Sequence, residues 1–252
     1  MTERFPLRVV ILGATSAIAS ATARIYAQDA KASILLVARN QQRMDDMAAD
    51  LLARGASSVD TEVCDLSEPG DVQKLLADFQ RRLGGIDHVL IAYGILGEQS
   101  EAERDQHAAE AILRINFTSA AIWCLAVANL LEEQASGSLV VFGSVAGDRG
   151  RRANFVYGAA KAGLAVVVEG IAHRFANKGP RAVLIKIGPT ITPMTDHMNR
   201  TGRLWARPEE IARIAYRRAE RGGVVAYAPG FWRAIMAIIR NLPSLIFNRM
   251  DI

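Results

Sequence analysis

The chain is short of cysteine, of aromatic residues and of long uncharged apolar runs, and each shortage removes a class of protein. Its two cysteines, Cys64 and Cys124, are too few for a disulfide framework or a zinc site, and both lie in apolar stretches. A reducing cytoplasm is the expected compartment, and no metal is expected. The longest uncharged apolar stretch, Ser119 to Leu131, falls short of the roughly 20 residues needed to cross a bilayer. Met1 to Arg8 carries Glu3, Arg4 and Arg8 and runs directly into a strand-like segment, which is not the layout of a secretory signal. What remains is an ordinary globular composition. Half of the residues are hydrophobic and 22% charged, which excludes a disordered chain, and 20 glycines with 8 prolines exclude collagen-like character.

The net charge of +4 conceals an asymmetry: residues 1–148 hold 12 Lys and Arg against 20 Asp and Glu, residues 149–252 hold 18 against 6. The two parts therefore carry −8 and +12, a field that favours an anionic ligand or membrane surface near the C-terminal part. The basic residues are dispersed among helices without interleaved aromatics, so nucleic acid is not expected as a partner.

Short apolar runs alternate with helix-period segments, the pattern of βαβ units and a parallel sheet covered on both faces. Strands are expected at Arg8–Leu12, Ser33–Ala38, Ser58–Val63, Asp87–Ala92, Ser138–Phe142, Ala182–Ile187 and Val224–Tyr227. Helices are expected at Ala17–Gln28, Gln41–Leu52, Gly70–Arg82, Glu103–Glu133, Val156–Ala176 and Pro208–Arg221. With no linker or repeat, this predicts one α/β domain over residues 1–252. Its sheet is Rossmann-like, doubly wound and seven-stranded, and residues 229–252 add an amphipathic segment.

The first strand ends in Gly13-Ala14-Thr15-Ser16-Ala17-Ile18-Ala19 and opens a helix, where such a fold binds pyrophosphate. After the second strand the sequence reads Val37-Ala38-Arg39-Asn40 and offers no carboxylate for a ribose 2′-hydroxyl. Arg39 suits a 2′-phosphate, so NADPH is expected in preference to NADH. The alternative for Arg39 is an exposed cap on the following helix.

The glycine turn, Ser144, and Tyr157-x-x-x-Lys161 thirteen residues later resemble the short-chain dehydrogenase/reductase family over nearly the whole chain, with Asn116 completing a tetrad. The resemblance implies a dinucleotide-dependent oxidoreductase in which Tyr157 exchanges the proton and Lys161 lowers the phenol pKa and binds the nicotinamide ribose. It implies that Ser144 binds the substrate oxygen and Asn116 holds a water. Its cofactor residues are Gly13, Thr15, Ser16, Ala17, Ile18, Arg39, Asp65, Leu66, Ala92, Gly94, Tyr157, Lys161, Gly188, Ile191 and Thr192. Ala17 and Ala19 replace two family glycines, and Ala92-Tyr93-Gly94 stands where the family usually has Asn-Ala-Gly, so that Asn is replaced by Ala92 while Gly94 is kept. At 17 a methyl enters where backbone approaches phosphate or needs permissive dihedrals.

Three stretches, Ile91 to Gly97, Ala146 to Tyr157 and Ala228 to Arg233, look like the subgroup that reduces a lipid-linked 2-keto pentofuranose after a flavin oxidase has made the ketone. Arg149, Arg151 and Arg152 are candidate phosphate partners there, with solvated surface residues as the alternative. The segment from Phe231 places Trp232, Ile235, Met236 and Ile239 on one helical face with Arg233 and Arg240 on another, fitting a peripheral membrane contact or packing on the protein itself. The substrate is then a small-molecule or lipid-linked ketone. Other readings are a carbonyl or 3-oxoacyl reductase and a dinucleotide-sensing or oxidase-binding subunit of low turnover. Apolar helices around Trp123 and Val166 point to a homodimer or homotetramer.

Overall fold

The computed structural model describes residues 6–68, 70–196, 198 and 202–250. Seven strands, β1 (Arg8–Leu12), β2 (Ser33–Ala38), β3 (Ser58–Val63), β4 (His88–Ile91), β5 (Ser138–Ser144), β6 (Arg181–Ile187) and β7 (Val225–Ala228), form one sheet. All neighbours are parallel, in the order β3-β2-β1-β4-β5-β6-β7. The first three strands have the expected bounds. β4 is one residue shorter than expected at each end, and Asp87 just before it accepts from the Arg8 backbone N–H and guanidinium. β5 runs two residues longer than expected and so delivers Ser144 at its end.

The helices are α1 (Ala17–Asp29), α2 (Gln41–Ala53), α3 (Val72–Leu83), α4 (Gln99–Ala102), α5 (Gln106–Leu113), α6 (Ala120–Glu133), α7 (Phe155–Arg174), α8 (Pro208–Arg221), α9 (Trp232–Asn241) and α10 (Ser244–Phe247). Polar caps set several starts. Ser16, Asn40 and Asp71 accept from the third amide of α1, α2 and α3 respectively. Pro208 opens α8, with Glu209 and Glu210 in its first turn.

Alternation along the strands divides the core. Val9, Ile11, Ile34 and Leu36 face α1, α2 and α8 through Ala19, Ala23, Tyr26, Met44, Leu51, Ile211 and Ala215. Val10, Leu12, Leu35 and Val37 face the other layer through Phe79, Trp123, Val127, Leu131, Leu164 and Val168. Strands buried on both faces need continuous apolar sequence, which β1, β2 and β4 have. The edge strand β3 instead carries Asp60 and Glu62, both paired with Arg82 of α3, a charged edge that resists pairing with another chain.

The helix expected over Glu103–Glu133 is observed from Gln106 to Glu133, with a change of helical pitch inside it. α4 stands apart, and a π-helical turn, Arg114–Ser119, separates α5 from α6. By length and composition Gln106–Glu133 and Phe155–Arg174 match membrane spans. Their apolar faces nevertheless pack on the sheet, in the second core layer.

The C-terminal segment is likewise turned inward. Trp232 and Met236 are buried, and with Ile235 and Ile239 they pack on Val145 and Tyr227. Of the two roles open to this face, packing on the protein itself is the one the structure shows. Trp123, expected near a subunit contact, is wholly buried and stacked on Phe79 at 6.3 Å, whereas Val166 is 70% exposed. Trp123→Ala should cost about 3–5 kcal/mol in denaturant unfolding without altering the sedimentation coefficient of the folded protein.

Candidate active site

Strand order reverses beside β1, whose neighbours are β2 and β4, and a cleft of about 520 Å³ opens along the C-terminal ends of the strands. At its floor Gly13 has φ +86°, and a Cβ there would lie 2.7 Å from the Tyr93 backbone nitrogen. Only glycine fits this turn. Ser16 then caps α1: its N–H goes to Gly13 and its hydroxyl accepts from Ala19. The amides of Ala17 and Ile18 remain as orphan donors of the first turn, at a cleft wall formed by Thr15, Ser16, Ala17 and Ile18. Ala17 begins the helix, and its φ is not positive. No permissive dihedral is needed there, and Ala19 packs fully buried against the sheet.

At one end of the cleft stand Arg39 and Asp65. Asn40 is the true cap of α2, so Arg39 is not one. The Asp65 carboxylate accepts from the Ser67 N–H and hydroxyl at 2.9 and 2.7 Å, bonds that hold it below the usual carboxylate range. A second guanidinium, Arg43, lines the same end and donates to the Thr15 carbonyl at 3.1 Å. It sits one turn into α2, where sequence offers no sign that it faces the cleft.

Further along, Ala92, Tyr93 and Gly94 follow β4. The Tyr93 phenol pairs with the Ser119 hydroxyl at 2.7 Å, and burial raises its pKa. A Cβ at Gly94 would lie 2.5 Å from the Asn116 amide oxygen. Glycine at 94 leaves that space to the Asn116 side chain, which the π turn presents to Ile95. The Asn116 side chain accepts from the Ile95 N–H and donates to the Ile95 and Ile112 carbonyls, at 3.2, 2.8 and 2.9 Å. Asn116 is thus a buried clamp on the loop after β4, and π turns of this kind recur at functional sites.

Ser144, Tyr157 and Lys161 meet in the same cleft. The Val145–Asp148 turn sits directly on α7 because Gly147 and Gly158 have no side chain to hold the backbones apart. The Ser144 hydroxyl accepts from the Ala146 N–H at 3.1 Å and lines the cleft with the Tyr157 phenol. Burial pushes that phenol up to about 12, with the serine acting in the opposite direction. Lys161 is 5% exposed, donates to the Phe142 carbonyl at 3.2 Å and lies 5.8 Å from the Tyr157 ring centre. Its burial brings the ammonium down to about 8.

A family model described as short chain dehydrogenase matches residues 8–202. The chain belongs to the short-chain dehydrogenase family. It is 36% identical to an uncharacterised oxidoreductase of Mycobacterium tuberculosis over 96% of both chains. It is 33% identical to another of Streptomyces coelicolor over 97% of this chain and 96% of that one. Levodione reductase has a similar crystal structure, with a TM-score of 0.81, 25% identity and coverage of 92% of this chain and 99% of the other. The protein is accordingly an NAD(P)-dependent oxidoreductase. Its residues fit a dinucleotide, with two orphan amides at the α1 terminus, a side-chain-free floor at Gly13, and a lysine and phenol at the far end.

Of the expected site residues, Ile191 lies outside the cleft wall; it is exposed, and its N–H is given to the Ala206 carbonyl. Leu66, Gly188 and Thr192 do line it. Arg149 also leaves the site, donating to the Ile239 and Leu242 carbonyls at the end of α9 and covering the Phe247 ring at 3.8 Å. Arg152 is exposed and bonds the Asn248 carbonyl at 3.1 Å. Of the three arginines only Arg151 lines the cleft.

A lysine whose folded pKa is about 8 binds fewer protons than its unfolded counterpart at 10.5. Stability from this group therefore rises with pH between those values, and below pH 8 the buried charge is a cost. Lys161→Met should unfold at an equal or higher temperature than the parent at pH 7, and its advantage should shrink between pH 8 and 10. An advantage constant across that range would contradict the burial of a charged lysine.

Proposed function

We propose that the protein reduces a ketone with NADPH, and that the ketone is a 2-keto sugar carried on a polyprenyl phosphate. The observation that carries the reductase reading is the convergence of Ser144, Tyr157 and Lys161 in one cleft with Asn116 clamped beside them. Bound NADPH supplies the hydride. Tyr157 gives its phenolic proton to the carbonyl oxygen, and Ser144 donates to the same oxygen as negative charge develops. Lys161 keeps a positive charge near the phenol, favours the phenolate that results and takes up the nicotinamide ribose hydroxyls. NADPH is preferred because Arg39 and Arg43 both stand at the adenosine end with no carboxylate after β2.

The substrate reading rests on the three stretches that look like the reductase subunit of decaprenylphosphoryl-ribose 2′-epimerase. It brings with it a flavin oxidase as the supplier of the ketone. The apolar wall of Ile95, Leu96, Met194 and Trp205 suits a lipid-bearing ligand. The protein then works in the cytoplasm beside the membrane's inner face, where Phe231, Ile238, Leu245 and Ile246 offer exposed apolar contacts. A second copy of the chain is the proposed partner for Ile122, Leu125 and Val166, exposed on α6 and α7, in a homodimer or homotetramer. The likeness to levodione reductase favours a second reading, a carbonyl reductase acting on a soluble ketone.

Tyr157→Phe keeps the ring and removes the proton, so turnover should fall about 10²–10⁴-fold while NADPH still binds in a fluorescence titration. Arg39→Asp should move cofactor preference from NADPH towards NADH, measured as the ratio of kcat/KM for the two. Equal use of both by the parent would remove the preference argued from Arg39 and Arg43. Reduction of a prenylphosphoryl 2-keto pentose beside levodione decides between the two substrate readings.

A further inference from the structure

Two polar groups in the cleft wall have no part in the reaction outlined above. Arg151 and Asn154 line the cleft with Ser144 and Tyr157, and the Nε of one and the Oδ1 of the other are buried without a hydrogen-bond partner among the described residues. Buried polar atoms are nearly always paired, so an orphaned donor and acceptor three residues apart mark a place that a ligand completes.

Neighbouring groups do not satisfy them. Asp148 acts on Arg151 through its charge, but its two carboxylate oxygens are taken by the Lys186 ammonium at 2.6 Å and the Tyr227 hydroxyl at 2.7 Å. Burial lowers the Arg151 pKa, the sign of a guanidinium held against desolvation. Asn154 occupies the position before α7 from which an asparagine ordinarily accepts a first-turn amide. Here its side chain makes no capping bond, and the Gln99 side-chain oxygen takes the Val156 N–H at 3.2 Å. The Asn154 carboxamide is left to the cleft.

We propose that Arg151 and Asn154 form a substrate subsite for an acidic hydroxy-ketone, Arg151 donating to a phosphate or carboxylate and Asn154 accepting from a hydroxyl. This rests on reduction at Tyr157 and narrows its substrate to a charged, hydroxylated class. A guanidinium suits such a role because its planar fork pairs with two oxygens of an anion at once.

The test compares the parent, Arg151→Met, Arg151→Lys and Asn154→Leu on D-ribulose 5-phosphate, D-ribulose and a short-chain prenylphosphoryl 2-keto pentose. Calorimetric binding to the NADP⁺-loaded protein is read beside turnover. Arg151→Met should lower the preference for the phosphorylated over the neutral ketose roughly 10- to 100-fold through KM, with NADPH affinity kept and partial rescue by Arg151→Lys. Asn154→Leu should weaken both ketoses relative to cyclohexanone. Binding of the prenylphosphoryl probe alone assigns the anion to a lipid-linked phosphate, and binding of ribulose 5-phosphate assigns it to a free sugar phosphate. The subsite is overturned if the parent binds neither, if the preference survives Arg151→Met, or if the loss appears in NADPH affinity instead. Arg151-dependent binding without turnover would refute the reductase reading and uphold the subsite; turnover of neutral ketones insensitive to Arg151 would do the reverse. Should Arg151→Met not fold, Arg151→Lys and Asn154→Leu carry the comparison.

Discussion

The site depends on an ammonium held inside the protein. Lys161 is 5% exposed and has one described acceptor, the Phe142 carbonyl, so the fold accepts a desolvated cation in order to place its charge beside a phenol. Many local features follow from that placement. The Val145–Asp148 turn and α7 touch backbone to backbone through Gly147 and Gly158, which brings Ser144 and Tyr157 into one cleft. The π turn before α6 directs Asn116 into the loop after β4 and fixes Ile95 beside the same charge. A stability optimum would remove the lysine; the proposed reaction needs it.

The two ends of the cleft are built differently. The dinucleotide end combines backbone, in a strand-to-helix turn that only glycine permits at 13 and two orphan amides, with the guanidiniums of Arg39 and Arg43. The other end consists of side chains from the turn after β5, the start of α7 and the segment after β6. It is closed from behind by α9, whose Trp232 and Met236 pack on Val145. Arg149 ties the carbonyls that end α9, so the arginine run before Tyr157 divides its labour between holding the C-terminal segment and facing the cleft.

Much of this was legible in the chain because the signals were local. Apolar runs bounded by polar residues marked β1 and β2 to the residue, and the expected bounds of β3 also match. Tertiary choices were not legible. The π turn at Asn116 leaves the apolar spacing of a continuous helix almost unchanged, so one long helix was the natural reading. Arg149, Arg151 and Arg152 are alike in composition, and only packing against α9 and α10 separates them. Ala17 looked unfavourable against a glycine pattern, yet the backbone at that position is already helical. The face of α9 fitted lipid and protein core equally well, because amphipathicity records that a face is buried and not what buries it.

The central claim is that the buried charge at Lys161 governs the Tyr157 phenol, and the most direct measurement is the titration of that phenol by NMR with carbon-labelled tyrosine. In the parent without cofactor it should titrate near 12, the value its burial sets, and fall when NADP⁺ binds. In Lys161→Met it should stay high with NADP⁺ bound. The same titration in parent and variant, each loaded with NADP⁺, would contradict the account.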